Sequence, residues 1–206
     1  MRADGRLGQL EWAVAATPIS GEDVCGDHWV VADTGDGVLL GVIDGLGHGR
    51  HAALAANRAA EVLAENPAEP LDVLILLCHR ALLDTRGAAI TLALVTFGGP
   101  GLRWLGVGNV AACLVRVGPG NPAPVGAPLH GGIVGYRLPA GLDAQDSPIQ
   151  AGDVLLLGSD GLRGDFADDI GPLRAPGRLA EDILTRSARG TDDALVLVAR
   201  YRGGPL

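Results

Sequence analysis

Apolar residues recur along this chain at two spacings. Strand-like runs are LEWAVAATPI from Leu10, HWVVAD from His28, GVLLGVID from Gly37, AITLALVTFG from Ala89, GLRWLGVG from Gly101, VAACLVRVG from Val110, DVLLLGSD from Asp153 and DALVLVARY from Asp193. The first alternates apolar and polar positions. GVLLGVID and DVLLLGSD are nearly continuous, as in strands covered on both faces. Helical spacing appears in RHAALAANRAAEVLAEN from Arg50, PLDVLILLCHRALLDTR from Pro70 and PGRLAEDILTRSARG from Pro176. Prolines in NPAEP stop the first helix, and Gly190 closes the third. The element GVGNVA reads as a tight hairpin turn between two apolar runs. Strands therefore come first, then a helix pair, then strands in hairpin-like succession, then a helix and a final strand. That order is not the strand-helix alternation of a doubly wound sheet. It predicts an α+β fold: two antiparallel sheets packed face to face with helices outside, a four-layer α-β-β-α sandwich. The stretch from Pro119 to Gly141 is the least regular and is expected to be a loop-rich excursion near the substrate.

Composition narrows the picture. A length of 206 residues suits a single domain spanning 1–206, and 48% hydrophobic with 19% charged residues suits a folded chain. Aromatics are only 3%, so the core must be built from Ala, Val and Leu. The net charge of −8 argues against nucleic acid or an anionic membrane as the main partner. An acidic protein handling an anionic substrate needs cations to bridge the two. No stretch has the length of a transmembrane helix, and the N-terminus lacks the apolar core of a signal peptide. Cys25, Cys78 and Cys113 are widely spaced among apolar neighbours, which predicts buried free thiols in a reducing cytoplasm.

Acids end several of the apolar runs. They are Asp27 in CGDHW, Asp44 in VIDGLGHG, Asp160 in LGSDGL, and Asp192 with Asp193 in GTDDALV. One such Asp is an ordinary turn or helix cap. Several together, each abutting a core strand, would repel one another unless a cation neutralised them. A carboxylate cage for a hard divalent cation, Mg²⁺ or Mn²⁺, accounts for the set.

The constellation resembles the PPM family of metal-dependent serine/threonine phosphatases, on the strength of DGLGHG, an upstream GD, a downstream SDGL and a terminal DDALVLV. The likeness is closest to the bacterial branch that includes SpoIIE, RsbU and RsbX. Compactness and the terminal DDAL look most like the RsbX type. The resemblance implies two metal ions, Mn²⁺ or Mg²⁺. Asp44 would bridge them, with the Gly45 carbonyl reaching one and Asp27 completing its ligands. Asp160 and Asp192 would hold the other. Catalysis would run through metal-activated water, with Asp44 and Asp160 central and no protein nucleophile. The strand would fix Asp44 rigidly, and the glycines would let the backbone approach the ion and leave room for phosphate. A helix starting near His51 would point its N-terminus at the same region.

Two positions depart from the pattern. Eukaryotic members carry His directly after the Asp-Gly pair; here that place holds Leu46. His48 lies two residues on and is open to two readings, a proton donor or a tight-turn and capping residue. The early phosphate-gripping Arg has no counterpart, and Arg50 and Arg163 read as solvated. His79 and His130 read as core or surface residues, and Trp12, Trp29 and Trp104 as packing. The resemblance implies phosphorylated STAS-domain partners of the RsbS and RsbR kind in a stress-signalling module, with no nucleic acid and no membrane. The rival expectations are a catalytically idle relative and a hydrolase of small phosphorylated molecules.

Overall fold

The computed structural model describes residues 1–99, 101–116, 123–168, 170 and 174–204. The chain opens with β1 (Arg2–Leu7), β2 (Leu10–Thr17), β3 (Asp27–Asp33) and β4 (Gly37–Gly45). Helices α1 (Gly49–Glu65) and α2 (Leu71–Ala81) follow. Next come β5 (Ala88–Thr96), β6 (Leu102–Val107) and β7 (Ala111–Val115). The short strands β8 (Val125–Gly126), β9 (Leu129–His130) and β10 (Gln145–Ser147) precede β11 (Val154–Gly158). Helix α3 (Pro176–Ser187) and β12 (Ala194–Tyr201) close the fold.

The strands form two sheets. The first has the order β1-β2-β12-β11-β7-β8, and the second β10-β6-β5-β4-β3 with β9 beside β6. Pairing is antiparallel except for β9, which runs parallel to β6. The sheets face each other across a core that includes Leu10, Val38, Leu40, Trp104, Leu155 and Leu197. Helices α1 and α2 cover the outer face of the second sheet through Ile43, Leu63, Leu74, Ile75 and Ile90. Helix α3 covers the first through Leu156, Leu179, Ile183 and Val196. This is the α-β-β-α sandwich that the order of elements predicts.

The continuous apolar runs have the burial they imply. Every residue of β11 is buried, as is all of β4 except Asp44. Each contributes side chains to two of the three apolar layers, so Ile43→Ala or Leu157→Ala would cost about 2–5 kcal/mol. Scarce aromatics are offset by close approach. Ala52, Ala55, Ala56 and Ala59 are fully buried, and they let α1 lie low on β3 and β4. A Cβ on Gly45 would stand 2.1 Å from the Ala52 carbonyl oxygen. Glycine at 45 is therefore required by the helix above it. Trp104 is buried in the central core, with Trp12 and Trp29 packed at its margin.

Four expectations need correction. Strand β1 was not anticipated; RADGRL is polar and alternates only between exposed and half-buried positions, as an edge strand does. Helix α2 ends at Ala81 rather than running on to Arg86. GVGNVA is not a hairpin: β6 and β7 lie in different sheets, so residues 108–110 carry the chain across the sandwich. Its turn chemistry was legible in Gly108, at φ +99°, but pairing partners are decided by burial far away in sequence. The irregular excursion also carries structure. Residues 119–122 lie outside the described set, but β8, β9 and a bridge from Val134 to Ala88 pin the remainder to both sheets.

Candidate active site

The acids converge because four strand ends point one way. Asp27 begins β3 and Asp44 lies one residue from the end of β4, and the antiparallel register sets them opposite each other. In the other sheet, β11 runs into Ser159 and Asp160, while Asp192 and Asp193 lead into its neighbour β12. Ser159 ties the two sheets together at this end. Its Oγ donates to Asp27 Oδ2 at 2.6 Å and accepts from the Leu195 amide at 2.9 Å. From the crossover after β6, Asn109 Nδ2 donates to Asp160 Oδ2 at 2.6 Å.

Burial sets the electrostatics. The Asp44 carboxyl is pushed up to about 9, by burial first and then by the charges of Asp27, Asp160 and Asp192. Asp27 is pushed up to about 7, again by burial first, against the hydrogen bond from Ser159 and with the charges of Asp193, Asp160 and Asp192. Asp160 is raised by burial and by Asp192, while its hydrogen bond with Asp44 and the charge of Arg189 pull it back. A hydrogen bond between the carboxyls of Asp44 and Asp160 needs a proton between them. Two carboxylates so placed repel unless a proton or a cation lies between them.

The DD pair divides its labour. Asp193 is buried and accepts from the Ile19 amide on Oδ1 and the Gly26 amide on Oδ2, both at 2.8 Å. Its carboxylate is spent on fastening the segment that leads into β3. Asp192 is half-buried, and among the described residues it accepts only its neighbour's amide, Asp193 N, at 2.8 Å. The glycines answer to packing as well as to any ligand. A Cβ on Gly26 would stand 2.8 Å from Asp193 Oδ2, and one on Gly161 1.9 Å from the Asp193 carbonyl oxygen.

His48 occupies the N-cap position of α1 but makes no side-chain cap. It is exposed, and its Nδ1 lies 3.0 Å from Glu22 Oε1. Helix α1 starts at Gly49, two residues before the expected start. Arg50 is exposed, and Arg163 is exposed and paired with Asp165 at 3.5 Å. His79 accepts from the Gly135 amide at 2.9 Å, a structural contact, and His130 Nε2 lies 3.3 Å from the Asp143 carbonyl. The cysteines are free, with Cys78 buried but Cys25 and Cys113 only half-buried. Burial pushes all three thiols up to about 12, so none is a nucleophile at neutral pH.

Among the described residues, no three His, Cys, Asp or Glu side chains already stand in metal-holding geometry. The donor set nonetheless fits a hard cation. It is oxygen-only and mutually repelling, buried at Asp27, half-buried at Asp44 and Asp192 and exposed at Asp160, and Arg189 is the one cation among the main charges acting on Asp27, Asp44 and Asp160. Two residues of this end were missed in the sequence. Ser159 stood inside the LGSDGL run without a role, and Asn109 was hidden in the supposed hairpin.

The profile of the family described as Stage II sporulation protein E (SpoIIE) matches residues 34–202, from before Asp44 to beyond Asp193. The chain belongs to the SpoIIE family. Among solved structures, it is similar to a chain from work on the bacterial stressosome as a modular system adapted to control secondary messenger signaling. The two are 30% identical with a TM-score of 0.83 over 94% of this chain and 100% of that one. RsbX in complex with magnesium is 18% identical, with a TM-score of 0.84 over 97% of this chain and 99% of that one. The PP2C phosphatase domain of Bacillus subtilis SpoIIE, with a fragment of its regulatory domain, is 18% identical. Its TM-score is 0.77 over 100% of this chain and 66% of that one. No curated protein matches the chain. Family and fold are those of the PP2C-type, metal-dependent serine/threonine phosphatases.

Proposed function

We propose that the chain is a protein phosphatase that hydrolyses phosphoserine or phosphothreonine on a STAS-domain protein of a stressosome-like module in the cytoplasm. One observation carries the catalytic part: acids from both sheets meet at one end of the sandwich with too little positive charge to match them. Asp44, the Gly45 carbonyl and Asp27 would hold one divalent cation, and Asp44, Asp160 and Asp192 a second. When bound, Mn²⁺ or Mg²⁺ supplies an activated water and neutralises phosphoryl charge. The chain's own residues do the positioning. Ser159 orients Asp27, Asn109 orients Asp160, and Asp193 anchors the turn that presents Asp27. His48 stands at the N-terminus of α1 with its Nδ1 3.0 Å from Glu22 Oε1, and would serve as a proton donor to the leaving oxygen. The partner part rests on the 30% identity with a chain studied in the stressosome and on the fold shared with RsbX.

Hydrolysis of an aryl phosphate with Mn²⁺, with excess EDTA, and by Asp44→Asn tests the chemistry. Full turnover under EDTA would sink it. Comparing kcat/KM on a phosphorylated STAS protein and on free phosphoserine tests the substrate, since remote contacts should favour the protein. Equal efficiency on both would return the small-molecule hydrolase.

A further inference from the structure

Around Gly87, beside the acid end, the surface changes character. The Leu46 amide, two residues beyond Asp44, donates to the Gly87 carbonyl at 3.0 Å. Val134 and Ala88 exchange both backbone hydrogen bonds at 2.9 Å, which sets the Ile133–Arg137 hairpin against the residue that follows Gly87. Ile133 Cγ2 stands 2.7 Å from where a Gly87 Cβ would be, and a Gly135 Cβ would be 3.2 Å from the Gly87 Cα and 2.6 Å from the Leu82 Cβ. Tyr136, at the hairpin tip, is 78% exposed, Leu83 is 63% exposed and Leu46 is 39% exposed. These are among the large hydrophobics the described surface shows; Leu46 bonds Gly87 through its amide, and Tyr136 and Leu83 directly follow Gly135 and Leu82, which meet beside Gly87.

Arg86 shares the spot. Its Nη1 lies 3.1 Å from where a Cβ on Gly47 would be, over the turn that follows Asp44. Among the described residues it makes no ion pair, although acids outnumber bases in the chain by 24 to 16. Nor is it among the main charges acting on Asp27, Asp44 or Asp160. Exposed Tyr and Arg beside aliphatic side chains, with few carboxylates between, make the composition of an interface centre. The hairpin is held by its bridge to β5, so Tyr136 is presented without a large ordering cost.

We infer that Leu46, Leu83, Arg86 and Tyr136 form a docking face for a phosphorylated segment whose phosphoserine is flanked by an apolar residue. Arg86 meets the phosphate charge and the apolar side chains meet the flank. Two observations favour this occupant. The cation, without an ion pair among the described residues, complements an anion, and the face is continuous through Leu46 with the turn that follows Asp44. The inference rests on the phosphatase reading above and names what that site prefers.

The test uses a phosphoserine peptide flanked by Leu, the same peptide flanked by Ser, and an aryl phosphate. Wild type should favour the Leu-flanked peptide by about tenfold in kcat/KM. The double variant Leu83→Ser/Tyr136→Ser should bring that ratio to about one and leave the aryl phosphate rate unchanged. Both side chains are largely in solvent, so folding should survive, as a melting curve will verify. Arg86→Glu should weaken both peptides, through KM more than kcat. An unchanged flank preference in the double variant would overturn the inference. So would a dimer in light scattering that the double variant dissociates, since a second copy would then cover the face. If the wild type cleaves no phosphoester at all, the phosphatase reading fails. Fluorescence anisotropy of the two labelled peptides on wild type and variant then still decides the docking face.

Discussion

Asp44, on β4, and Asp146, on β10, belong to the same sheet and differ in what surrounds the carboxylate. Asp146 is exposed and receives two hydrogen bonds from Arg103, Nε to Oδ1 at 2.7 Å and Nη2 to Oδ2 at 2.8 Å. The guanidinium holds it below the usual carboxylate range. Asp44 lies among buried residues with Asp27, Asp160 and Asp192 as its charged neighbours, and is pushed up to about 9. One acid is satisfied by a side chain that the fold supplies. The other is left for something from outside. A strand-end carboxylate that the protein declines to pair marks where a cation is expected, and the paired one marks ordinary surface.

The largest expected effect separates them by activity. Asp44→Asn and Asp160→Asn should each lower turnover on an aryl phosphate with Mn²⁺ by several orders of magnitude. Asp146→Asn should leave it unchanged. Comparable rates for all three would erase the distinction.

Metal should sharpen the contrast in stability. At a hundredfold excess over Kd, Mn²⁺ should stabilise the fold by about 2.7 kcal/mol, which for a chain of this size is roughly 5–10 °C in Tm. Asp44→Asn should lose most of that rise and Asp146→Asn none of it, as read by calorimetry.

A smaller effect is expected from the group that orients Asp27. Ser159→Ala leaves Asp27 Oδ2 and the Leu195 amide, both buried, without this partner. The cost should be about 1–3 kcal/mol in denaturant unfolding. No measurable change would mean that water replaces the hydroxyl.

Protons should follow opposite signs at the two acids. Asp27 and Asp44 have folded-state values above the unfolded carboxylate value of about 3.9. Their contribution is whole below that value and is lost as pH rises through about 7 for Asp27 and about 9 for Asp44. Metal-free Tm should therefore fall from pH 5 to pH 9, and Asp44→Asn should flatten the upper part of the curve. Asp146 contributes above the unfolded value and loses its contribution as pH falls through its lowered one. Being exposed and solvent-screened, its part should be slight. A metal-free Tm that rises toward pH 9 would contradict the buried assignment. The smallest effect is the Arg103–Asp146 pair itself, whose coupling in a double-mutant cycle should be under about 1 kcal/mol.

Some of this was legible in the residues alone. The apolar runs of β4 and β11 announce burial on both faces because no polar residue interrupts them, and the alanine periodicity of α1 announces a helix on a sheet. The acids at the ends of those runs were visible for the same reason: a strand that must stay dry has only its tips for charge. Local sequence could not say which acid is spent. Asp192 and Asp193 are chemically identical neighbours, and only the approach of Ile19 and Gly26 commits Asp193 to the backbone. Gly45 reads as a ligand-side glycine until α1 is laid over it. GVGNVA carries the chemistry of a turn, and a turn is what forms, but strands β6 and β7 join different sheets because their partners are chosen by long-range burial. That choice places Asn109 on Asp160. Pattern along the chain determined which segments are dry and where charge sits on them. Proximity between segments far apart in sequence decided which charges are matched and which remain for a ligand, because pairing and packing act through space.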